Sequence, residues 1–295
     1  MPPTSSSSTA PDLDQLPAVR ARVTYIAPGE DRAHVRIYRP NSGLVTVRPA
    51  SVEHVVSIFD ARSIADSLEL DEQGFELRAI PAQFTDFYDE AAVRARYYPE
   101  VRAAMLELTG AHEVIVFDHN VRSAARAARG EVGVRVPVAQ VHNDYTEQSG
   151  PKRKREILEE AGRFDLTNRR VAFVNLWRPI VGPVWDNPLA VCDARSIAID
   201  DLVPTEIQHF GEDDLTEPRH RGEIYSVRAN PAHRWFYASQ MRPDEVLLLK
   251  CYDSRTDVPA RFMPHTGFQN PACPPEFVPR ESIEAPTLVI FDEPV

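Results

Sequence analysis

Two histidines, one aspartate, an arginine and a serine in this sequence have the types and spacing for joint chemistry. The stretch "VAQVHNDYT" ends an apolar, strand-like run with His142 and Asp144 two positions apart. In an extended segment residues i and i+2 point to the same face, so both can look into one interior while Asn143 turns away. An imidazole and a carboxylate are two ligands. A further histidine would complete the 2-His-1-carboxylate set that holds non-haem Fe(II) and leaves positions open for oxygen and an organic ligand. "RFMPHTGF" supplies His265, with His220 and His233 as open alternatives for that third place. Beyond it, "PRESIEAPTLVIF" puts Arg280 and Ser282 on one face of a last apolar strand. A buried guanidinium beside a hydroxyl can grip a carboxylate, because it offers a planar, always-charged fork of donors.

Each of these residues has a plainer reading. With nine His and 44 acidic residues in the chain, chance alone gives roughly one His-x-acid pair, here a polar strand end. His265 could be a satisfied interior histidine, and Arg280 a surface arginine at a strand start. What outweighs the plain readings is order: His-x-Asp, a run of strands, a His, then Arg-x-Ser opening a final apolar strand. His233 in "NPAHRWF" could line a pocket or cap a turn, and His220 in "EPRHRGE" reads as solvated. Trp177 reads as core, and Arg178 needs a carboxylate partner if it is buried. Asn175, Tyr225 and Lys250 could reach a pocket, with no specific argument for any of them. The run "PKRKRE" reads as a solvated helix start, a basic lip over an anionic substrate being the alternative.

The elements that must position these groups are mostly strands. Alternating or apolar extended runs occur at "ARVTYIA" and "AHVRIYRP", continuing through "VTVRPA" as a hairpin or small sheet, and at "HEVIVFDHNV" and "VPVAQVHNDYT". The second half adds "RRVAFVNLWRPI", "PLAVCDARSI", "HRGEIYSVRA", "RWFYASQ", "DEVLLLKCYDS" and "ESIEAPTLVIFDE". Residues 86–110 carry helical periodicity, with Pro99 as a break and Gly110 as a stop. "RSAARAARGEVGV" reads as a basic loop, and "PKRKREILEEAGRF" as an outer charged helix. Many short strands with turn signals between them predict a sandwich or barrel, with a mixed N-terminal part.

Composition narrows the class. A chain of 295 residues with 43% hydrophobic and 26% charged residues can bury a real core. A net charge of −11 argues against nucleic-acid partners, and no apolar run has membrane-span length. Twelve glycines without a Gly-rich phosphate-binding motif set nucleotide binding aside. The first residues, "MPPTSSSSTAPDLDQLP", read as a disordered leader over 1–19, not a secretory signal. Cys192, Cys251 and Cys273 form no paired pattern and read as reduced thiols of a cytoplasmic protein.

The ordered pattern resembles the Fe(II)/2-oxoglutarate oxygenases. Three long strings narrow it: "NLWRPIVGPVWDNPLAVCDARSI", "NPAHRWFYASQMRPDEVLLLKCYDS" and "RFMPHTGF…PPEFVPRESIE". They are similar to the asaB-type hydroxylase/desaturase family, which includes the fungal gibberellin desaturase. The resemblance implies a double-stranded β-helix, or jelly roll, that is mainly β with flanking helices, its core at about residues 112–293 within one oxygenase domain over 20–295. It implies His142, Asp144 and His265 as Fe(II) ligands, and Arg280 with Ser282 as the holder of the distal carboxylate of 2-oxoglutarate. It also implies O2 as oxidant and a small, secondary-metabolite-like substrate hydroxylated or desaturated at an unactivated C–H bond. An iron oxidase of the same fold that does without 2-oxoglutarate, and a non-catalytic β-sandwich that binds a small ligand, are the competing readings. The sequence names neither the substrate nor the oligomeric state, a homodimer being one open option.

Overall fold

The computed structural model describes residues 13–29, 31–38, 44–211 and 215–294. In chain order its strands begin with β1 (Ala18–Ile26), β2 (Ala33–Ile37), β3 (Ser51–Asp60), β4 (Phe75–Ala79), β5 (Glu113–Val116), β6 (Asn120–Ser123), β7 (Val134–Arg135) and β8 (His142–Asn143). They continue with β9 (Arg169–Pro179), β10 (Leu189–Cys192), β11 (Leu202–Phe210), β12 (Pro218–Val227), β13 (Trp235–Tyr237), β14 (Glu245–Asp253), β15 (His265–Gly267) and β16 (Glu281–Pro294). They form a nine-stranded sheet in the order β1-β3-β13-β10-β15-β8-β12-β11-β2 and a seven-stranded sheet, β4-β14-β9-β16-β6-β7, with β5 also on β16. Most pairs are antiparallel; β2 on β11, β3 on β13 and β6 on β7 are parallel. This is the mainly β, two-sheet architecture expected of a jelly roll.

The core lies between the sheets. Val23 and Tyr25 of β1, Val171 and Phe173 of β9, and Leu288 and Ile290 of β16 meet there. Side chains on a strand alternate faces. Ala172, Val174 and Leu176 of β9 therefore point outward, into a second cluster with Val93, Tyr97, Val101 and Met105. Those four belong to the helical run of α1 (Glu90–Ala92), a π turn (Val93–Tyr97) and α2 (Tyr98–Thr109). Asp89 accepts the Ala92 N–H at 2.9 Å to start the run, and Gly110, at φ 63°, ends it. The same alternation sends Asn175 and Trp177 of β9, Cys251 of β14, and Ser282 and Glu284 of β16 inward.

Several local expectations need correction. "VTVRPA" is not a strand; Val47 makes one isolated bridge to Arg36. Nor do β1 and β2 form a hairpin, since β1 pairs with β3 and β2 with β11. Pro99 does not break the helix. It falls in the first turn of α2, after the π turn, where the wider turn absorbs its missing N–H. The 112–121 run is two strands, β5 and β6, and the basic stretch after it holds a short helix, α3 (Ala124–Ala128), whose N-terminus Ser123 caps by accepting the Arg126 N–H. Strands β3, β4, β7 and β11 were not anticipated. Of the leader, residues 1–12 lie outside the described residues, whereas Leu13 and Leu16 pack against the core and β1 starts at Ala18.

Helix α4 (Ser149–Glu160) is not purely external: Ile157 and Leu158 are buried in the inter-sheet core. It approaches the sheet through Gly150, where a Cβ would stand 2.6 Å from the Tyr252 ring. Gly150→Ala is expected to push α4 away from β14 at a cost of about 1–3 kcal/mol, seen as a thermal midpoint lower by roughly 2–10 °C.

Candidate active site

His142 and His265 lie directly opposite one another, because β15 pairs with β8 at that register. Their rings are 4.5 Å apart at the centroids. Asp144 follows β8, and its Oδ1 is 3.5 Å from His142 Nε2 and 3.9 Å from His265 Nε2. One ligand atom from each of the three falls within 4.8 Å of the others. Among the described residues no other cluster of His, Cys, Asp or Glu has this property.

The hydrogen bonds around the triad decide which atoms face its centre. His142 Nδ1 is 2.8 Å from the Gln140 carbonyl and His265 Nδ1 is 3.4 Å from the Met263 carbonyl. A carbonyl only accepts, so each Nδ1 carries the proton and each Nε2 offers its lone pair. Asp144 Oδ2 accepts from Asn175 Nδ2 at 2.7 Å and weakly from Cys251 Sγ at 3.5 Å. That leaves Oδ1 facing the histidines. Asn143, turned away as the strand period requires, donates to the Tyr145 and Cys251 carbonyls and accepts the Met263 N–H. It thereby ties the His142 and His265 segments together.

The electrostatics suit a cation. Burial, with His265 adding, pushes His142 down to about 4, so its imidazole is neutral. Burial alone would raise Asp144, but the two imidazoles and Asn175 together hold it below the usual carboxylate range. Burial and Asp144 keep the Cys251 thiol protonated. The unit is thus two imidazole Nε2 atoms and one ionised carboxylate oxygen around a common point, the donor set for a hard-to-borderline divalent metal. The residues present fit Fe(II).

The rival histidines lie elsewhere. Both ring nitrogens of His233 are engaged, Nδ1 with Tyr25 Oη at 3.1 Å and Nε2 with Asp201 at 3.1 Å. His220 stands on β12 against the His209 ring. Arg178 is buried but satisfied by the Ile80 and Pro243 carbonyls and Tyr97, not by a carboxylate as expected. Lys250 turns to Asp71 and Asp253, each at 2.6 Å, and Tyr225 Oη accepts the Glu147 N–H; neither serves the triad. Asn175 does. Its only sequence signal was a polar residue inside the apolar run of β9. Removing such an outer partner typically weakens metal binding ~10–100-fold. Asn175→Ala is expected to do so for Fe(II) while leaving the fold intact, as read by anaerobic metal titration and circular dichroism.

Arg280 and Ser282 come together as the Arg-x-Ser spacing predicts. Arg280 Nε donates to Ser282 Oγ at 3.1 Å, another guanidinium N–H reaches the Asn187 carbonyl, and its backbone N–H donates to Asp186. The guanidinium is buried over the Trp177 ring, 5.0 Å from its centroid. No carboxylate lies within ion-pair distance of it among the described residues. Burial and the nearby Arg122 push it down to about 9. A cleft joins Arg280 to His142, His265, Trp177 and Glu284. The long interval after His265 is a surface excursion, with Phe277 and Val278 exposed, that returns the chain to this cleft. On the other side of Asp144 opens a cavity of 670 Å³, walled in part by Phe117, Tyr145, Arg122 and Glu284, a size suited to a small organic molecule.

Comparison with known proteins now decides the family. A family model described as oxidoreductase/YMDC permease-like domain matches residues 23–290. The hydroxylase/desaturase efuI of Hormonema carpetanum is 32% identical, over 95% of this chain and 97% of its own. The Fe(II)/2-oxoglutarate-dependent dioxygenase nvfI of Aspergillus novofumigatus is 33% identical over 91% of this chain and 95% of its own. The chain belongs to the hydroxylase/desaturase family of Fe(II)/2-oxoglutarate-dependent dioxygenases. The solved structure of the iron and alpha-ketoglutarate-dependent endoperoxidase NvfI superposes with a TM-score of 0.80 at 28% identity, covering 93% of this chain and 98% of that one. Membership in this hydroxylase/desaturase family accounts for the jelly roll. Among the described residues no helix is long and apolar enough to cross a membrane.

Proposed function

We propose that this oxygenase holds Fe(II) with His142 Nε2, Asp144 Oδ1 and His265 Nε2, and the distal carboxylate of 2-oxoglutarate with Arg280 and Ser282. The observation that carries the assignment is a coincidence of two incomplete sites in one cleft. Three ligand atoms converge on one point, and beside them lies a buried guanidinium with a serine hydroxyl but no protein carboxylate. A buried cation without a partner is costly, and a bound carboxylate would neutralise it. Iron with 2-oxoglutarate and O2 supplies the oxidising power for an unactivated C–H bond, hydroxylating or desaturating a small molecule. The chain's own part is geometric and electrostatic. Asn175 and Cys251 fix Asp144 so that one oxygen faces inward. The two backbone carbonyls keep both imidazoles in the ligating tautomer. Arg280 orients the co-substrate, and the neighbouring cavity receives the organic substrate.

The same reading treats the enzyme as one oxygenase domain, since β1–β3 lie in the sheet of the ligand strands β8 and β15, and β4 in the sheet that carries Ser282. Its three cysteines are unpaired, in keeping with the cytoplasm, and its charge disfavours nucleic acid. Anaerobic titration tests the assignment. Fe(II) binds at one site per chain, and 2-oxoglutarate then adds a weak visible charge-transfer band. Iron uptake without the band would favour the reading that dispenses with 2-oxoglutarate, and no uptake would end the metal assignment.

A further inference from the structure

The 670 Å³ cavity beside Asp144 holds a second arrangement of arginines. Strands β6 and β7 run parallel in a register that sets Arg122 directly beside Arg135. Both side chains line the cavity. Like charges opposed across a ladder destabilise the pairing. Among the described residues neither guanidinium has a carboxylate within ion-pair distance, and Arg122 gives one N–H to the Val136 carbonyl at 2.9 Å.

Of the acids in the same wall, Asp144 faces the two histidines and four others are engaged or exposed elsewhere. Glu223 is taken by Arg32 at 2.6 Å, Glu206 by Arg221 at 2.6 Å, and Glu156 by Arg153 at 3.2 Å. Asp118 is exposed and accepts the His119 N–H. Glu284 is buried and pushed up to about 7, by burial first and then by Asp144, with Arg122 acting the other way. The two arginines form a cationic spot on a chain whose net charge is −11. Neighbouring strands stand about 4.8 Å apart, which lets two forks converge on one carboxylate. Phe117 and Tyr145 give the cavity an aromatic wall, Tyr145 being stacked on Phe173 with ring centroids 4.1 Å apart.

We propose that Arg122 and Arg135 bind a carboxylate carried by the organic substrate, whose apolar body lies against Phe117 and Tyr145. This rests on the cavity being the substrate chamber of the oxygenase site. It makes the substrate an organic acid, and makes Arg135 a specificity element away from Arg280, with Arg122 lining both the cavity and the Arg280 cleft. The carboxylate of 2-oxoglutarate has the same chemistry, so the test must tell the two apart.

The test uses the Fe(II)-loaded enzyme under nitrogen, already saturated with 2-oxoglutarate, with benzoate as probe and benzamide as its neutral counterpart. Calorimetry is expected to show saturable benzoate binding, with benzamide about tenfold weaker or more. Arg135→Gln and Arg122→Gln should each lower benzoate affinity about fivefold or more. Arg135→Gln, at an exposed position, should leave the iron and 2-oxoglutarate affinities unchanged. Benzoate that binds no better than benzamide, or equally well in both variants, overturns the proposal. So does benzoate that displaces 2-oxoglutarate, which would put the anion at Arg280. Failure of the unmodified enzyme to take up iron, read before benzoate is added, would strike the metal assignment instead.

Discussion

Asp144→Ala abolishes iron retention. The substitution deletes the one carboxylate ligand and leaves two imidazoles facing each other across β8 and β15. Losing an outer partner costs ~10–100-fold in metal affinity, and losing the charged ligand itself should cost more, roughly a thousandfold or beyond. Turnover should fall to background at any practical iron concentration. Asn175 and Cys251 would lose their acceptor but remain buried, so the fold should survive. Anaerobic Fe(II) titration with a chelator competition reads the affinity, and a thermal melt checks the fold. Asp144→Glu is the informative companion. It restores the charge but moves the carboxylate past the Asn175 bond, so partial recovery of binding would locate the effect in the metal site and not in packing. An Asp144→Ala protein that retains stoichiometric iron would refute the ligand assignment.

Arg280→Leu gives the second large effect, with a different signature. Charge-assisted hydrogen bonds are worth about 1.5–3 kcal/mol each, so losing the fork should raise half-saturation by 2-oxoglutarate roughly 10–150-fold. Fe(II) affinity should stay within about twofold, since the guanidinium bonds to Ser282 and Asn187 and to none of the three ligands. In the ligand-free enzyme the substitution should be neutral or stabilising, because it removes a buried charge that has no carboxylate partner. A structural arginine would behave the other way, destabilising the free protein and leaving the co-substrate untouched. Arg280→Lys keeps charge without the planar fork, and should recover only part of the affinity. The visible band on titrating 2-oxoglutarate and the melt of the free enzyme together separate these outcomes.

The parts of this site that were legible in the sequence were those with a fixed spacing. His142 and Asp144 share a face because strand geometry makes i and i+2 neighbours, and the Arg280–Ser282 contact follows from the same rule. His265 emerged from its place in the order. What spacing cannot show is which strands are adjacent. The pairing of β15 with β8 puts two histidines opposite each other, and no local pattern reports it. Asn175 was hidden for a related reason. Strand β9 is buried on both faces, between the opposite sheet and the helical layer, so its apolar run shows no alternation to mark the inward positions. The basic stretch at α4 misled in another way. Lys152 and Arg153 read as solvated charges, yet they stand in the wall of the large cavity. The strands missed or misjudged, β3, β4, β7 and β11, owe their place to pairing with other strands more than to their own composition.

The proposed iron centre straddles the shortest ladder of its sheet. Strand β8 has two residues and β15 three, joined by one register pair, and the segments they join are on the order of a hundred residues apart along the chain. A ladder so short carries little tension by itself, and such regions are where native proteins open first. A ferrous ion held by the three ligands would act as a rivet, adding its binding free energy to the closed form alone. Starved of iron, the polypeptide would breathe at this seam, exchange its amide hydrogens faster there and offer itself to proteases. Metal supply would then set the enzyme's lifetime as well as its rate.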